Sequence, residues 1–152
     1  MKIDRIATIW LFAITLEANS QGACQLKYGG NEFKDRMCSY RKNAKDFDTF
    51  YALFLTALDS NDYERISQMI KYPISAKIDG KKFALRSPKA FTAVAAQIFN
   101  HEFTKSIFIS EQKLTHLSSG IMLGNGEIWF NTQIIKKRDA WKITAINNDM
   151  QK

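Results

Sequence analysis

Residues 120–130 read GIMLGNGEIWF. They pose the first structural question: does Gly124-Asn125-Gly126 cradle a phosphate, or does it turn a chain? A dinucleotide-binding fingerprint needs a third glycine and a helix behind it. Here Trp129 stands at the third position, a strand pattern follows, and no Gly-Lys-Ser/Thr is present. Placing Asn125-Gly126 at the tip of a two-residue hairpin suits the positive φ of a primed turn. Gly124 then faces Glu127, Leu123 faces Ile128, Met122 faces Trp129 and Ile121 faces Phe130. Side chains alternate along a strand, so Ile121, Leu123, Ile128 and Phe130 share one face, and Met122, Glu127 and Trp129 share the other. The stretch reads as a hairpin, and the nucleotide loop is rejected.

The following strands extend the pattern. With Arg138-Asp139 at a second tip, Lys136 meets Trp141, Ile134 meets Ile143 and Thr132 meets Ala145, all on the Phe130 face. The opposite face carries Glu127, Trp129, Asn131, Gln133, Ile135, Lys142 and Thr144. Upstream, Phe47, Phe50, Tyr51, Phe54, Leu55 and Leu58 recur at three- and four-residue spacing, which predicts a helix from Asp46. Asp46 and Asp48 read as helix-start charges. Asn61 or Asp62 caps a second helix carrying Tyr63, Ile66, Met69 and Ile70, which Tyr72-Pro73 ends. Residues 74–86, ISAKIDGKKFALR, predict two strands around Asp79-Gly80. Ser87 and Pro88 then start a helix that buries Phe91, Val94, Ala95, Ile98 and Phe99. Residues 103–113 fit either periodicity. The order is helices first and strands last, an α+β domain over residues 46–152.

The N-terminus reads as a leader. Lys2 and Arg5 precede the apolar run Ile6–Leu16, which is too short for the roughly 20 residues that span a bilayer. Ala18-Asn19-Ser20 fits a small-x-small cleavage site, and cleavage after Ala23 competes with it. Residues 1–20 are therefore expected to be a signal peptide, and the protein periplasmic or secreted. Removing them takes two basic and two acidic residues, so the formal net charge stays at +7. Cys24 and Cys38 are the only cysteines. In an oxidising compartment such a pair is expected to form a disulfide, and closing a loop of this length stabilises by about 3 kcal/mol. The segment between them looks polar, with little of its own to bury, and 21–45 reads as an N-terminal extension. The alternative is lipid on Cys24, since Gly22-Ala23-Cys24 resembles a lipoprotein box, although Gln21 departs from it. No histidine stands near the cysteines, so no metal is expected.

Three stretches carry a family resemblance: YPISAKIDGKKFALRSPKAF (72–91), SGIMLGNGEIWF (119–130) and WKITAIN (141–147). They resemble exported bacterial members of the nuclear-transport-factor-2-like superfamily, with their Tyr-Pro segment, Gly-x-Gly-Glu-x-Trp-Phe hairpin and final Trp-Lys-Ile strand. The likeness covers about residues 46–147. It implies N-terminal helices packed on a strongly curved, mainly antiparallel sheet, cone-shaped and cystatin-like, with a pocket between helices and sheet. Some members of that superfamily are enzymes with an Asp, His or Tyr inside the cone. Others bind ligands or dimerise through the outer sheet face. No enzymatic motif carries over to positions of this chain, and fold alone does not imply activity.

Composition narrows the functional classes. The chain is 45% hydrophobic and 24% charged, within the range of globular domains, and its pI is near 9.4. Its basic residues are dispersed and form no aromatic-interleaved stripe, so nucleic acid is not the expected partner. His101 and His116 are the only histidines. His101 adjoins Glu102 near a helix end, where neighbours in sequence do not face each other. His116 lies between leucines. No serine sits in Gly-x-Ser-x-Gly. No catalytic residue, cofactor or metal is therefore expected. The reading is an exported, non-enzymatic binding or interaction protein that uses the cone pocket or the outer sheet face. The alternatives are an immunity protein neutralising a toxin delivered to the periplasm, and a small cone-pocket enzyme. Met122, Glu127, Trp129, Asn131 and Gln133 form the candidate interface, because tryptophan and methionine are enriched at contact surfaces. Its partner would be another protein or a second copy, with a small ligand in the pocket as a further option and no membrane span. The competing account has residues 24–45 folding back over Trp129.

Overall fold

The computed structural model describes residues 24–39, 41–78 and 80–149. The expected leader and both cleavage points lie outside the described residues. The elements are α1 (Asn31–Ser39), α2 (Arg41–Asp59), α3 (Tyr63–Met69), β1 (Ile70–Ile78), β2 (Lys81–Leu85), α4 (Pro88–Thr92), α5 (Ala95–Ile98), α6 (His101–Ile109), β3 (Leu114–Leu117), β4 (Gly120–Leu123), β5 (Ile128–Ile135) and β6 (Arg138–Asn148). The six strands form one open sheet in the order β2-β1-β6-β5-β4-β3. β1 runs parallel to β6, and the other neighbours are antiparallel. The fold is α+β, with helices against one face of a mixed, mainly antiparallel sheet.

Local chemistry explains most boundaries. α2 turns Phe47, Tyr51, Phe54, Leu55 and Leu58 inward, all buried; each fully buried side chain of this kind contributes about 1.5–3 kcal/mol. Asp62 caps α3 by accepting the Arg65 N–H at 3.0 Å. Ser87 caps α4 through the Ala90 N–H at 3.2 Å, with Pro88 in the first turn as expected. The ambiguous stretch resolves as α6: Asn100 accepts the Phe103 N–H at 2.9 Å, and Phe103 and Ile107 are buried one turn apart. His101 is the first residue of α6. It therefore stands at a helix start, where a cation is disfavoured, and not at a helix end as expected.

The Tyr72-Pro73 boundary needs correction. α3 already ends at Met69, and both residues lie inside β1, joined by a cis peptide. They fall between the Ile70 and Ser75 pairings, where the register against β6 shifts. The Tyr72 hydroxyl reaches back to donate to the Ser67 carbonyl at 3.1 Å. The β1–β2 hairpin closes with Ile78 opposite Lys81, and Asp79 of the expected tip lies outside the described residues.

The core centres on Phe130. The rings of Phe47, Phe50, Tyr51 and Phe54, all from α2, stand 5.6–6.1 Å from it, mostly edge-on. Phe99 joins through Phe54, and Phe103 through Phe99.

The segment between the cysteines buries more than its polar composition suggested. Leu26, Tyr28, Phe33 and Met37 are all in the core. Phe33 packs on Phe47 and Tyr28 on Tyr51, with centroids 5.9 and 5.0 Å apart. Asp48 is no helix-start charge, since α2 begins seven residues before it. Its carboxylate instead accepts the backbone N–H groups of Lys27 and Tyr28, at 3.0 and 3.2 Å. Cys24 and Cys38 are bonded, with Cα atoms 5.6 Å apart. α1 lies along β3, where Arg36 donates to the His116 carbonyl at 3.5 Å.

The two long hairpins differ in how far sequence specified them. β4–β5 pairs Ile121 with Phe130, Met122 with Trp129 and Leu123 with Ile128, as expected. Its loop spans four residues, and the positive φ values fall on Gly124 and Gly126, not on Asn125. Neighbouring strands hold it open: the Gly124 N–H donates to Lys113, and Asn147 bonds the carbonyls of both Glu127 and Gly126. In β5–β6 the tip is Lys136-Lys137, two residues before the expected Arg138-Asp139, and Ile135 pairs with Arg138. Moving the tip by two residues shifts the pairing by four, and an even shift keeps every side chain on its face, so Trp141 and Ile143 stay on the Phe130 side, opposite Thr132 and Phe130. A bulge at Thr144 then inverts the parity and sets Ala145 opposite Trp129 on the outer face.

Candidate functional site on the outer sheet face

Six residues form a row across the whole sheet: Thr115, Met122, Trp129, Ala145, Ser75 and Ala84, one from each strand. They share a face because each pairs directly with the next. The row is uneven. Met122 and Trp129 are large, whereas Ala145, Ser75 and Ala84 beside them are small. Trp129 is half-buried, and Phe130 next to it is fully buried beneath the helices. The outer face therefore presents an aromatic edge above a shelf of short side chains.

A parallel row lies one step along. Asn147 on β6 is opposite Lys77 on β1, and Lys77 is opposite Lys82 on β2. Lys77 and Asp149 form an ion pair, and this bond holds the Asp149 carboxyl below its ordinary range. Trp129, Glu127, Asn125, Asn147 and Asp149, with Gly126 and buried Phe103, line a cavity of about 540 Å³ at this end of the sheet. That volume lies within the range of small-ligand pockets. The Gly126 loop curls over the outer face: a Cβ at that position would stand 3.5 Å from the Trp129 indole nitrogen and 3.8 Å from the Met122 sulfur.

The five candidate interface residues do not act as one group. Trp129 and Glu127 line the cavity, and Met122 borders Trp129. Glu127 turns back to accept the Asn125 N–H at 2.6 Å, so one carboxylate oxygen shapes the loop. Asn131 donates to the Ser119 carbonyl at 2.9 Å, tying β5 to the β3–β4 turn. Gln133 bonds the neighbouring Thr132 carbonyl. Both stand outside the cavity lining. Asn147 and Asp149 join the site and were missed from sequence. The Thr144 bulge, which no local residue pattern announces, moves Ala145 outward, and Asn147 goes with it.

No protein-family model, curated protein or solved structure matches the chain.

Burial also shifts titratable groups that lie away from the cavity. Lys142, opposite Asn131, donates to the Gln68 carbonyl in the last turn of α3 at 2.6 Å, and burial lowers its pKa. Burial, and secondarily the Arg36 charge, lowers that of His116. Burial pushes the Tyr51 phenol well above its ordinary value, and its hydroxyl donates to the Glu111 carbonyl at 3.3 Å. Among the described residues no three His, Cys, Asp or Glu side chains gather as a metal site, and no helix is long and apolar enough to cross a membrane.

Proposed function

We propose that the chain is an exported, non-enzymatic binding protein that engages a protein partner through Trp129 and the cavity beside it. The observation that carries this reading is Trp129 itself: a large, half-buried aromatic on the face away from Phe130, flanked by Met122, above small side chains and at the lip of a polar cavity. Anchors of this chemistry dominate contact energetics. The N-terminal segment packs elsewhere, on α2 through Phe33 and Tyr28, so its described part does not serve as the cover over Trp129. The bonded Cys24–Cys38 pair favours an oxidising compartment, and a sulfur bonded to Cys38 has no valence left for lipid. The strand order, with β1 parallel to β6 beside an antiparallel run from β3 to β6, supports the nuclear-transport-factor-2-like reading of the fold.

Trp129→Ala tests the proposal. Wild type and variant are compared for self-association by light scattering, for capture of a defined periplasmic partner, and for stability in denaturant. An anchor loses association, by 2 kcal/mol or more, while the monomer stays folded. A variant that is less stable but associates as before returns Trp129 to a structural role.

A further inference from the structure

The tip of the β5–β6 hairpin is exposed from Ile134 to Asp139. Ile134 is 81% exposed and Ile135 42%. Strand alternation points these two side chains to opposite faces, so apolar surface flanks the tip on both sides. The turn between the strands is Lys136-Lys137, with φ of 49° and 63°. A primed two-residue turn favours Asn-Gly, because side chains with a Cβ resist the left-handed region. Here the sequence forgoes the favoured residues and sets two cations at the apex. Arg138 follows at once. Among the described residues none of these three cations forms an ion pair. Asp139, opposite Ile134, is the single anion at the tip, which leaves a local charge of +2 (3 − 1).

We propose that this tip docks onto an anionic phospholipid surface. Ile134 and Ile135 enter the boundary between headgroups and acyl chains, and Lys136, Lys137 and Arg138 pair with lipid phosphates. Charge complementarity selects the sign of the surface, and geometry selects a bilayer over an acidic protein. A folded protein meets one face of a hairpin and would leave one isoleucine in water, whereas a bilayer surrounds the tip and covers both. A two-stranded tip is also too narrow for the roughly 800 Å² per partner of a stable protein interface. The attachment is weak and reversible, since each cation near an anionic surface strengthens binding only about fivefold. It is independent of the Trp129 site.

Vesicle co-sedimentation tests this. The protein is mixed with vesicles of phosphatidylcholine alone, or of phosphatidylcholine with phosphatidylglycerol. All variants keep the same N-terminus, so any lipid affinity of residues 1–23 is common to them. Wild type should sediment with the anionic vesicles only, and less as salt rises. The double variant K136N/K137G restores favoured turn residues and removes both cations. It should unfold at the same or a higher temperature and bind roughly thirtyfold more weakly. Ile134→Ser, which leaves the cations in place, should weaken binding about tenfold. Wild type that ignores anionic vesicles, equal binding to both vesicle types, or undiminished binding by the folded double variant each overturns the proposal.

Discussion

The ring of Phe130 lies 5.6 Å from that of Tyr51, centroid to centroid, at an interplanar angle of 80°. This edge-on contact joins the middle of the sheet to the middle of α2. Three further α2 rings converge on the same side chain.

Phe130→Ala should therefore cost about 3–5 kcal/mol, as truncation of large core aromatics does. Chemical denaturation measures it. A loss below about 1 kcal/mol would mean that the helices do not rest on this face.

Reduction should free two thiols. Intact mass should rise by two hydrogens on treating the oxidised protein with reductant, and Cys38→Ser should lower stability by about 3 kcal/mol. A lipid mass on Cys24, or thiols that are free without reductant, would contradict the Cys24–Cys38 bond.

Asp48→Ala removes the acceptor for two backbone N–H groups. The expected cost is about 1–2 kcal/mol, because bonds to a charged acceptor exceed ordinary ones but this carboxylate is only half-buried. Hydrogen exchange should quicken at Lys27 and Tyr28 while the centre of α2 stays protected. Uniform quickening would point to a global role instead.

The fold should weaken in alkali. Burial, with the Glu64 charge adding to it, raises the Tyr72 phenol from 10.0 to about 12. The native state thus holds the proton longer than the unfolded chain does. The resulting stability is complete below pH 10 and is lost as pH rises through about 12. Tyr72→Phe should lose less stability over that window and should lack one late-titrating phenol in the ultraviolet. An identical alkaline profile would refute the assignment.

Much of this architecture was legible because it follows from short-range chemistry. Phe47, Tyr51 and Phe54 announce a helix face by spacing alone, Ser87-Pro88 marks a helix start, and the pairs from Ile121–Phe130 to Leu123–Ile128 follow from alternation around one turn. The errors came where distant strands decide. The Lys136-Lys137 turn violates local preference, so turn chemistry pointed two residues away. The Thr144 bulge reverses a face without a glycine or proline to mark it. Leu26, Tyr28, Phe33 and Met37 sit among polar neighbours, and their common burial emerges only once α1 is folded onto α2. For the site, Trp129 and Glu127 were readable from parity. Asn147 and Asp149 were not, because the bulge stands between them and the pattern.

β3 closes one end of the sheet, and an unpaired border of N–H and C=O groups is a template on which another chain can add a strand. α1 stands guard over that border, with Arg36 holding the His116 carbonyl. The covalent latch on this guard is the Cys24–Cys38 bond. Opening that bond should therefore loosen the guard over β3. Protein made in a reducing cytosol should aggregate through β3, with light scattering that grows with concentration and falls when the cysteines are reoxidised. A lysine in place of exposed Thr115, on the outward side of the same strand, should suppress aggregation of the reduced form. Scattering that is the same with and without reductant would show that α1 holds its post without the latch.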